Sequence, residues 1–531
     1  MTTGGAFADL DRDGWLDLVV ANGNDILRQK VEVYTNDGAG NYPTNPNWSS
    51  SDVDYHGHLS VGDVDGDGWE DVAVSVFLGP AGFGQKGRVK LYRNLGGTLE
   101  STPSWSSADR FYSFSCALGD ADADGDLDLA VAVGEPYFGT PDVNRIYTNV
   151  GGTLQTSPGW TSSAAQHALD CGFADVDDDG DLDLAFCTAG GPNRIHFQGP
   201  GGISSVAGWT STDNNAQNGN SLCFGDADAD GDLDLAVSDN DQLAGGAGRF
   251  KVYRNSGATL AGAPFWSVYG GQVSAVAFGD AHLDGFPDLA GGIWFAGTRI
   301  YANDAGTFAN SSSWSSSANS TVEALDFGDT RNLALIARPA ETFAVTGARK
   351  AFLLAHAPVH ELLEIRADGV VLAPDQYCWN RAGGWLALAA APASSLEVDY
   401  RSSESLDLAV TNWDQTIGNL VFRRDPLVKT AIVPTGPTVL QPGDVLNFRV
   451  DLRSTTNRAE GFDLWIVGRR PGGSYGLVER SARSLAPFGA LSLNYALTVP
   501  LSLPPGTYSM HAGVTEGANR LAEDFFNLTI L

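Results

Sequence analysis

Basic side chains are scarce in this chain: 32 Lys and Arg stand against 64 Asp and Glu, a net charge of −32 over 531 residues. That balance argues against nucleic acid or an anionic membrane surface as a partner, since both carry fixed negative charge. Cysteine is scarce too. Five residues are too few for a disulfide scaffold, and none has zinc-ligand spacing. Cys116, Cys171 and Cys223 precede acidic loops on apolar segments, where small buried hydrophobes are expected. Cys171 and Cys187 flank one loop symmetrically and could face each other across a hairpin as a disulfide, while Cys378 is alone. There is no run of 18 apolar residues that would span a membrane, and no basic and apolar leader precedes the first strand-like segment. The eight His form no His-Glu-x-x-His cluster.

What the chain has in quantity is acid at fixed spacing. Asp120, Asp122, Asp124 and Asp128 occupy positions 1, 3, 5 and 9 of one loop, with the carbonyl of Asp126 at position 7; this oxygen set suits calcium. Gly125 at position 6 meets the need for positive φ in so tight a turn. An EF-hand would close with Glu at position 12 and enter a helix, whereas here the last acid comes at 9 and leads into the strand-like Leu129-Ala130-Val131. Four more copies are complete. They are Asp9, Asp11, Asp13, Trp15 and Asp17; Asp63, Asp65, Asp67, Trp69 and Asp71; Asp175, Asp177, Asp179, Asp181 and Asp183; and Asp226, Asp228, Asp230, Asp232 and Asp234, the fourth-named residue of each acting through its carbonyl. A sixth keeps Asp280, Asp284, Phe286 and Asp288 but has His282 at position 3, a poor partner for a hard cation, so calcium should bind there weakly or not at all. A seventh keeps only Asp329 and breaks at Arg331-Asn332. Its outgoing strand, Leu406-Asp407-Leu408-Ala409-Val410, resumes after an insertion.

First acids recur at steps of 54, 57, 55, 51, 54 and 49 residues. Each period holds an apolar strand into the loop and a second out of it. A third carries aromatic and Asn markers (Val33-Tyr34-Thr35-Asn36, Leu91-Tyr92-Arg93-Asn94, Ile146-Tyr147-Thr148-Asn149, Val252-Tyr253-Arg254-Asn255, Ile300-Tyr301-Ala302-Asn303). The fourth ends in Trp followed by Ser or Thr, at Trp48, Trp105, Trp160, Trp209, Trp266 and Trp314. Four short strands in each of seven units predict an all-β, seven-bladed β-propeller, with the Trp series packing between blades.

The pattern Phe/Val-Gly-Asp-x-Asp-x-Asp-Gly-x-x-Asp-Leu-Ala resembles the FG-GAP/VCBS repeat of integrin α-subunit propellers and their bacterial relatives, over roughly residues 1–425. The resemblance implies the propeller fold and calcium in the loops, and leaves the ligand open. Five loops with four Asp and one with three supply 23 carboxylates, which would repel one another without metal. Sites of this type in extracellular modules bind at roughly 0.1–1 mM, so an extracellular or cell-surface location is expected, although the export signal it implies is not found in this chain. In the family the N-terminus normally supplies the outer strand of the last blade. Here that strand is not evident, and three sources are open: a processed start, Leu427-Val428-Lys429-Thr430-Ala431-Ile432-Val433, or another subunit pairing with the open edge.

Four segments are expected: 1–334 as propeller, 335–404 as a small β-domain inserted in the seventh loop and projecting from the calcium-loop face, 405–425 as the end of blade 7, and 426–531 as an immunoglobulin or fibronectin-III-like sandwich. The inserted part alternates apolar and polar residues at Leu362–Arg366 and Leu396–Tyr400, with turns at Asp368-Gly369 and Gly383-Gly384. No catalytic constellation stands out, because the acid pairs belong to the loops; His56 and His58 are a polar loop in preference to a metal pair. Loops on the face opposite the acids offer Phe77, Phe83, Tyr137, Phe138, Trp294, Phe295 and Trp413 in one set, and Tyr55, Arg110, Phe111, Tyr112, His167 and Tyr269 in the other. Aromatics beside Arg anchor interfaces and sugar sites. The expectation is therefore a non-enzymatic binding or adhesion protein for a surface protein or glycan, then a self-assembling filament or layer subunit, and third an enzyme acting on polysaccharide.

Overall fold

Each acidic loop is the turn of an antiparallel hairpin, and the register is the same every time. Position 9 pairs with the residue just before position 1: Ala8 with Asp17, Gly62 with Asp71, Gly119 with Asp128, Ala174 with Asp183, Gly225 with Asp234 and Gly279 with Asp288. The seventh hairpin closes in the same register, Gly328 with Asp407, across the inserted segment. The structure, a computed structural model, describes all residues except 24, 136–138, 214–217, 241–247, 283–284, 333–334, 339, 346–347, 404–405, 415, 424–427, 455–459, 470–474, 486–489 and 517–518.

Thr2–Ala8, Asp17–Asn22, Val31–Tyr34 and Trp48–Ser49 form one four-stranded antiparallel sheet in chain order. The arrangement recurs in the sheets that begin at Tyr55–Gly62, Ser113–Gly119, Ala168–Ala174, Asn218–Gly225 and Val273–Gly279. Among the described residues the chain is all-β, with one short 3-10 turn at Pro374–Gln376, and the repeated sheets are propeller-like. First strands of successive sheets lie side by side, and Ser320–Gly328 returns beside Thr2–Ala8. Second strands such as Asp17–Asn22 and Asp71–Gly79 are buried at every residue. Flanking sheets cover both of their faces, which is why they read as unbroken apolar runs instead of alternating.

The Trp-bearing strands begin at the Trp, where the sequence pattern had them end; five are two residues long and the fifth in chain order, Trp266–Tyr269, is four. Each indole packs on the third-strand ring of the next sheet. Ring centroids lie 6.0 Å apart for Trp48 and Tyr92, 5.5 Å for Trp105 and Tyr147, 5.7 Å for Trp209 and Tyr253, and 5.0 Å for Trp314 and Phe422. The series is inter-sheet packing, as its fixed spacing predicts.

The Asn markers do more than the sequence disclosed. Asn94 Nδ2 donates to Leu10 O (2.8 Å), Asn149 to Val64 O (2.7 Å), Asn255 to Val176 O (2.7 Å) and Asn303 to Ala227 O (2.7 Å). Each acceptor is position 2 of the acidic loop one sheet earlier. Gln198 takes the same place in the fourth sheet, with its amide oriented to donate to Ala121 O (2.8 Å). Asn36 reaches Thr330 O (2.7 Å) and so ties the first sheet to the last. Asn149→Ala would strand two buried carbonyls, Val64 O and Leu127 O. A loss of about 1–3 kcal/mol is expected, read as a shift in denaturant midpoint at unchanged slope.

The sheet of Ser320–Gly328, Asp407–Asn412 and Leu420–Phe422 ends at that third strand among the described residues. Of the three sources for a fourth, the structure removes one: Val428–Pro434 pairs with Val445–Ser454 instead, and Leu427 lies outside the described residues. Val445–Ser454 is a ten-residue partner, against three residues in the edge strand Leu420–Phe422.

The insertion has its own core of Phe352, Val359, Leu386, Leu396, Val398 and Tyr400, between the sheet that pairs Val359–Ala367 with Ser395–Ser403 and a second sheet of Ala351–Leu353, Trp385–Leu388 and Tyr377–Asn380. It does not project freely from the loop face. Lys350 and Ala351 N–H groups donate to Gly180 O (3.0 and 2.7 Å), Lys350 Nζ donates to Ala123 O, and Arg381 donates to Phe7 O (3.1 Å) and Phe327 O (3.0 Å). The acidic loops expose oxygen acceptors, and the insertion supplies the donors that meet them.

The chain divides into two compact units, 1–279 with 287–423, and 280–286 with 424–531. In the second, a sheet of Val428–Pro434, Val445–Ser454 and Ala490–Thr498 and another of five strands share a core that includes Phe448, Val450, Leu464, Ala512 and Ile530. The alternation at Leu446, Phe448 and Val450 faces that core as expected. No described helix is long and apolar enough to cross a membrane.

Candidate metal centres

The loop backbone makes an acid-lined cup before any ion is considered. The position-6 glycines have φ between 85° and 99°, and non-glycine residues at position 4, Arg12, Ala123, Asp178 and Ala229, are also left-handed. Two such residues close together coil the chain tightly. Gly125 is fixed a second time, because a Cβ there would lie 2.6 Å from the Ala389 backbone of the insertion.

That coil aims the glycine N–H at the first acid. Gly14 donates to Asp9 Oδ2 (3.0 Å), Gly68 to Asp63 (2.7 Å), Gly125 to Asp120 (3.0 Å), Gly180 to Asp175 (3.1 Å) and Gly231 to Asp226 (3.0 Å). The position-5 acids accept from position-7 N–H groups, as in Asp13 with Trp15 (2.9 Å), Asp67 with Trp69 (2.8 Å), Asp124 with Asp126 (3.0 Å), Asp179 with Asp181 (3.1 Å) and Asp230 with Asp232 (3.0 Å). Position 9 is braced at both oxygens: Asp128 accepts from Asn149 N (2.6 Å) and Ala121 N (2.9 Å), and Asp71, Asp183 and Asp234 repeat the pattern. Asn36 N binds Asp17 in the same way (3.0 Å).

What remains fits a hard cation. Asp9, Asp63 and Asp175 each keep a buried Oδ1 with no hydrogen-bond partner, as do Asp65, Asp177 and Asp228 at position 3, and Asp17 keeps Oδ2. Carboxylate oxygens converge within 4.8 Å in five groups: Asp9, Asp11 and Asp13; Asp63, Asp65 and Asp71; Asp120, Asp122 and Asp128; Asp175, Asp177 and Asp183; Asp226, Asp228 and Asp230. The groups differ in whether position 5 or position 9 completes the three. Anionic oxygens that are buried, convergent and unpaired are costly unless a cation joins them. In the sixth loop Asp280 accepts from Gly285 (2.9 Å) and Asp288 from Asn303 N (2.9 Å). No convergent group of that kind is found among its described residues, and Asp284 lies outside them.

The seventh loop carries its own cation. Arg331, at position 3, donates to Asp407 Oδ1 (2.9 Å), while the Thr330 hydroxyl (2.5 Å) and N–H (3.3 Å) hold Oδ2. Asp329 accepts from the Ser403 hydroxyl (2.6 Å). A guanidinium thus stands where the other loops gather acid.

Burial, the largest cause, pushes the loop acids upward, and their neighbours' charges add to it while backbone N–H groups oppose it: Asp9 and Asp63 to about 6, Asp17, Asp120 and Asp234 to about 7, and Asp71 and Asp183 to about 8. Asp175 also rises to about 7, with Arg349 as the leading opposition. The sign for the metal-free chain follows. The folded state retains protons that the unfolded chain has lost above its ordinary carboxylate range, so stability present at low pH is lost as pH rises through about 6–8. Melting of the calcium-stripped protein at pH 5 and pH 8 should give the lower Tm at pH 8, and calcium affinity should rise over the same interval. A higher Tm at pH 8 without calcium would contradict this.

Outside the loops the structure sorts the sequence candidates. Phe77 and Phe111 are buried and join ring clusters with Phe83, Tyr112, Phe114 and Tyr147, so they are core and not surface. Arg110 donates to Lys86 O (3.4 Å), and Tyr55 and His167 are half-buried. Tyr269 and Phe295 are exposed at 59% and 66%. Trp294 and Trp413 stack on each other, while Tyr137 and Phe138 lie outside the described residues. His56 and His58 are on the strand Tyr55–Gly62, not a loop. His56 is buried with Nδ1 2.6 Å from Asn22 O, and His58 lies 3.7 Å from Asp170, so they do not form a metal pair. The Cys171–Cys187 disulfide is not formed. The loop register that pairs Ala174 with Asp183 sets Cys171 opposite Phe186 and Cys187 opposite Asp170, and all five cysteines are free. Cys116, Cys171 and Cys223 line a cavity of about 270 Å³ among the first strands, with Pro358, Asn380 and Trp385 of the insertion also in its wall.

The model of the FG-GAP-like repeat matches residues 9–74, 76–131 and 175–237. The chain carries FG-GAP-like repeats. The matched segments hold all five complete loops, which agrees with the resemblance drawn from the loop pattern. No curated protein matches the chain. Solved structures give only partial likenesses. An alkylpurine DNA glycosylase from Pseudomonas fluorescens is 16% identical over 20% of this chain and 31% of its own, with a TM-score of 0.17. A mutant β-glucosidase from Listeria innocua is 14% identical over 20% and 16%, with a TM-score of 0.16. A CARDB domain from Pyrococcus furiosus is 18% identical over 20% and 94%, with a TM-score of 0.16. The match spans less than a third of the glycosylase and of the glucosidase, and none of the three bears on what the FG-GAP-like repeats do.

Proposed function

We propose that the chain is a seven-bladed, calcium-stapled β-propeller, with an inserted β-domain and a C-terminal immunoglobulin-like sandwich, that works outside the cell as a non-catalytic binding or adhesion protein. The return of Ser320–Gly328 beside Thr2–Ala8 and the Asn36 bond to Thr330 support the seven-bladed ring. Calcium is the ion that suits all-oxygen cups of this spacing, with five sites and a weak sixth, and FG-GAP-like repeats are typical of extracellular proteins. The observation that carries the binding role is the division between faces. The acid loops are engaged by their own amides and by the insertion, while Tyr269 and Phe295 stand exposed on the side opposite the loops. Partners of that face are a surface protein or glycan; nucleic acid does not suit a chain of this charge.

Beads coated with the protein should be retained on cell-surface or matrix material in millimolar calcium and released by chelator. Turnover of a polymer without such retention would overturn the reading in favour of a polysaccharide-processing enzyme. One observation favours a second reading, a filament or layer subunit: Leu420–Phe422 has no outer neighbour among the described residues, and an open edge is a template for another strand. Electron microscopy with and without calcium separates the two, since ordered assemblies favour the subunit and monodisperse particles the binding protein.

A further inference from the structure

The Trp-bearing strands share one set of contacts, and the edge strand Leu420–Phe422 offers the receiving half of that set with no strand on it among the described residues. Within each sheet the residue before the Trp donates its N–H to the third strand, as Asn47 does to Val33 O (2.8 Å) and Ser313 to Ile300 O (2.8 Å). The residue two after the Trp donates two positions earlier on that strand, as Ser50 does to Val31 O (2.9 Å) and Ser162 to Asn144 O (3.0 Å). In five strands of the six that residue is Ser, and its Oγ accepts the N–H of the same third-strand residue, Val31 (3.1 Å), Val89 (3.4 Å), Asn144 (3.0 Å), Asn193 (3.1 Å) or Thr298 (3.0 Å). With Phe422 in the place of the third-strand ring, the matching groups of the last sheet are Val421 O and the carbonyl and N–H of Asn419.

Each such strand also grips the next sheet. Beyond covering a third-strand ring, Trp160 and Trp209 donate Nε1 to Ile203 O (2.9 Å) and Leu260 O (3.0 Å), and the N–H three after the Trp crosses over, as from Ser51 to Ser101 O (2.7 Å). For the last sheet the next is the first: Arg423 donates to Gly40 O and Asn41 Oδ1 (3.0 Å), as Arg93 does to Gly152 O (2.7 Å) and Arg254 to Gly306 O (2.7 Å). The first sheet's ring, Tyr34, is half-buried, whereas Tyr92, Tyr147 and Tyr253 under their indoles are 0% exposed. Val421 is half-buried as well, while Val33, Leu91, Ile146, Ile195 and Val252 at its place are 4% exposed or less and Ile300 alone resembles it. One charge is reversed. Lys90, Arg145 and Lys251, two residues before the ring, pair with an Asp four residues after the neighbouring Trp, namely Asp52 (2.5 Å), Asp109 (2.9 Å) and Asp213 (2.5 Å). The first sheet has Glu32 there, which accepts from Asn22 Nδ2 (2.9 Å) and Tyr34 OH (3.1 Å) and whose charge acts on the Met1 amino group.

We propose that the edge Asn419 to Phe422, together with Tyr34 and Glu32 of the first sheet, binds an extended segment of another polypeptide with the pattern Trp-Ser/Thr-Ser and a Lys or Arg four residues after the Trp. The indole covers Tyr34 and donates to Tyr42 O, which stands where Ile203 and Leu260 stand in their sheets. The second Ser meets Asn419, and the basic residue meets Glu32. In strand addition of this kind the main-chain hydrogen bonds supply affinity and the side-chain pockets supply selection. Each Trp followed by Ser or Thr in this sequence is already seated in its own sheet, so a second copy of the chain has no such strand to lend.

This inference rests on the seven-bladed ring and gives its open edge a different occupant from the filament reading. The test adds a fluorescein-labelled peptide of residues 44–54 carrying Asp52→Lys to the calcium-loaded full chain and follows anisotropy. Binding should saturate. Trp48→Ala in the peptide should weaken it about tenfold or more, the effect of losing an aromatic anchor, and keeping Asp52 should weaken it about two- to fivefold, the range of a partly exposed ion pair. Glu32→Lys in the protein should reverse that last preference, an exchange that misfolding cannot imitate. No binding by the folded wild type, equal binding of the Trp48→Ala peptide, or a charge preference that Glu32→Lys leaves unchanged overturns the proposal. Ring closure is read separately, since Asn41→Cys and Arg423→Cys in one chain should be joined by a short bis-maleimide. Crosslinking without peptide binding removes the docking site alone, and absence of crosslinking removes the ring reading with it.

Discussion

Removing calcium is expected to take away most of the stability of residues 1–423. At affinities of roughly 0.1–1 mM, each site filled at about 10 mM calcium contributes about 1.4–2.7 kcal/mol, and five contribute about 7–14 kcal/mol. A domain has only about 5–15 kcal/mol in total. The reason lies in Asp9, Asp63 and Asp175, whose buried Oδ1 atoms have no partner in the protein. Without an ion they either pick up protons or repel their neighbours. Scanning calorimetry should therefore register a large fall in the unfolding temperature of the repeat-bearing unit on chelation. The unit built around Phe448, Leu464 and Ile530 carries no complete acid loop and should melt independently of calcium. Equal melting of the first unit with and without chelator would sink the staple account.

Substitution of Arg331 should be strongly damaging to the repeated sheets, and its effect should not depend on calcium. Asp407 has a side chain with 0% exposure, and Arg331 supplies the cation on its Oδ1. Truncating one partner of a buried pair costs about 3–5 kcal/mol, because the other charge stays buried and uncompensated. Arg331→Met should lose that much at any calcium concentration, and Arg331→Lys should recover part of it, since a point charge cannot match the guanidinium's geometry. Denaturant titrations at two calcium concentrations decide the matter. A loss that calcium repairs would mean that the seventh loop is an ordinary metal site.

The acid loops and their period were legible because the chemistry of an oxygen cup dictates residue type and spacing within nine positions. The same holds for the Trp series, whose packing on Tyr92, Tyr147 and Tyr253 needs one indole per repeat. Interactions between repeats were not legible. Asn149 reaches Val64, and nothing in the local pattern Ile146-Tyr147-Thr148-Asn149 names that acceptor. Register defeated two expectations: the loop closure that pairs Ala174 with Asp183 sets Cys171 opposite Phe186 in place of Cys187, and a shift at Trp294–Ala296 turns Phe295 outward while leaving Trp294 inside. Phe77 and Phe111 were misread as surface because loop position in the sequence does not reveal which neighbouring sheet will cover a ring. The docking of the insertion through Arg349, which donates to the carboxylates of Asp175 and Asp178, and through Lys350, whose Nζ and N–H find carbonyls on two different loops, has no sequence signature at all.

The claim on which all this turns is that the loops hold calcium as part of the fold. Equilibrium dialysis of the purified chain against millimolar calcium, with bound metal counted by mass spectrometry, tests it most directly. Five ions per chain are expected, a sixth only at higher concentration, and the count should fall by one for Asp120→Ala and stay unchanged for Asp329→Ala. Binding of fewer than two ions, or a count indifferent to Asp120, would contradict the account.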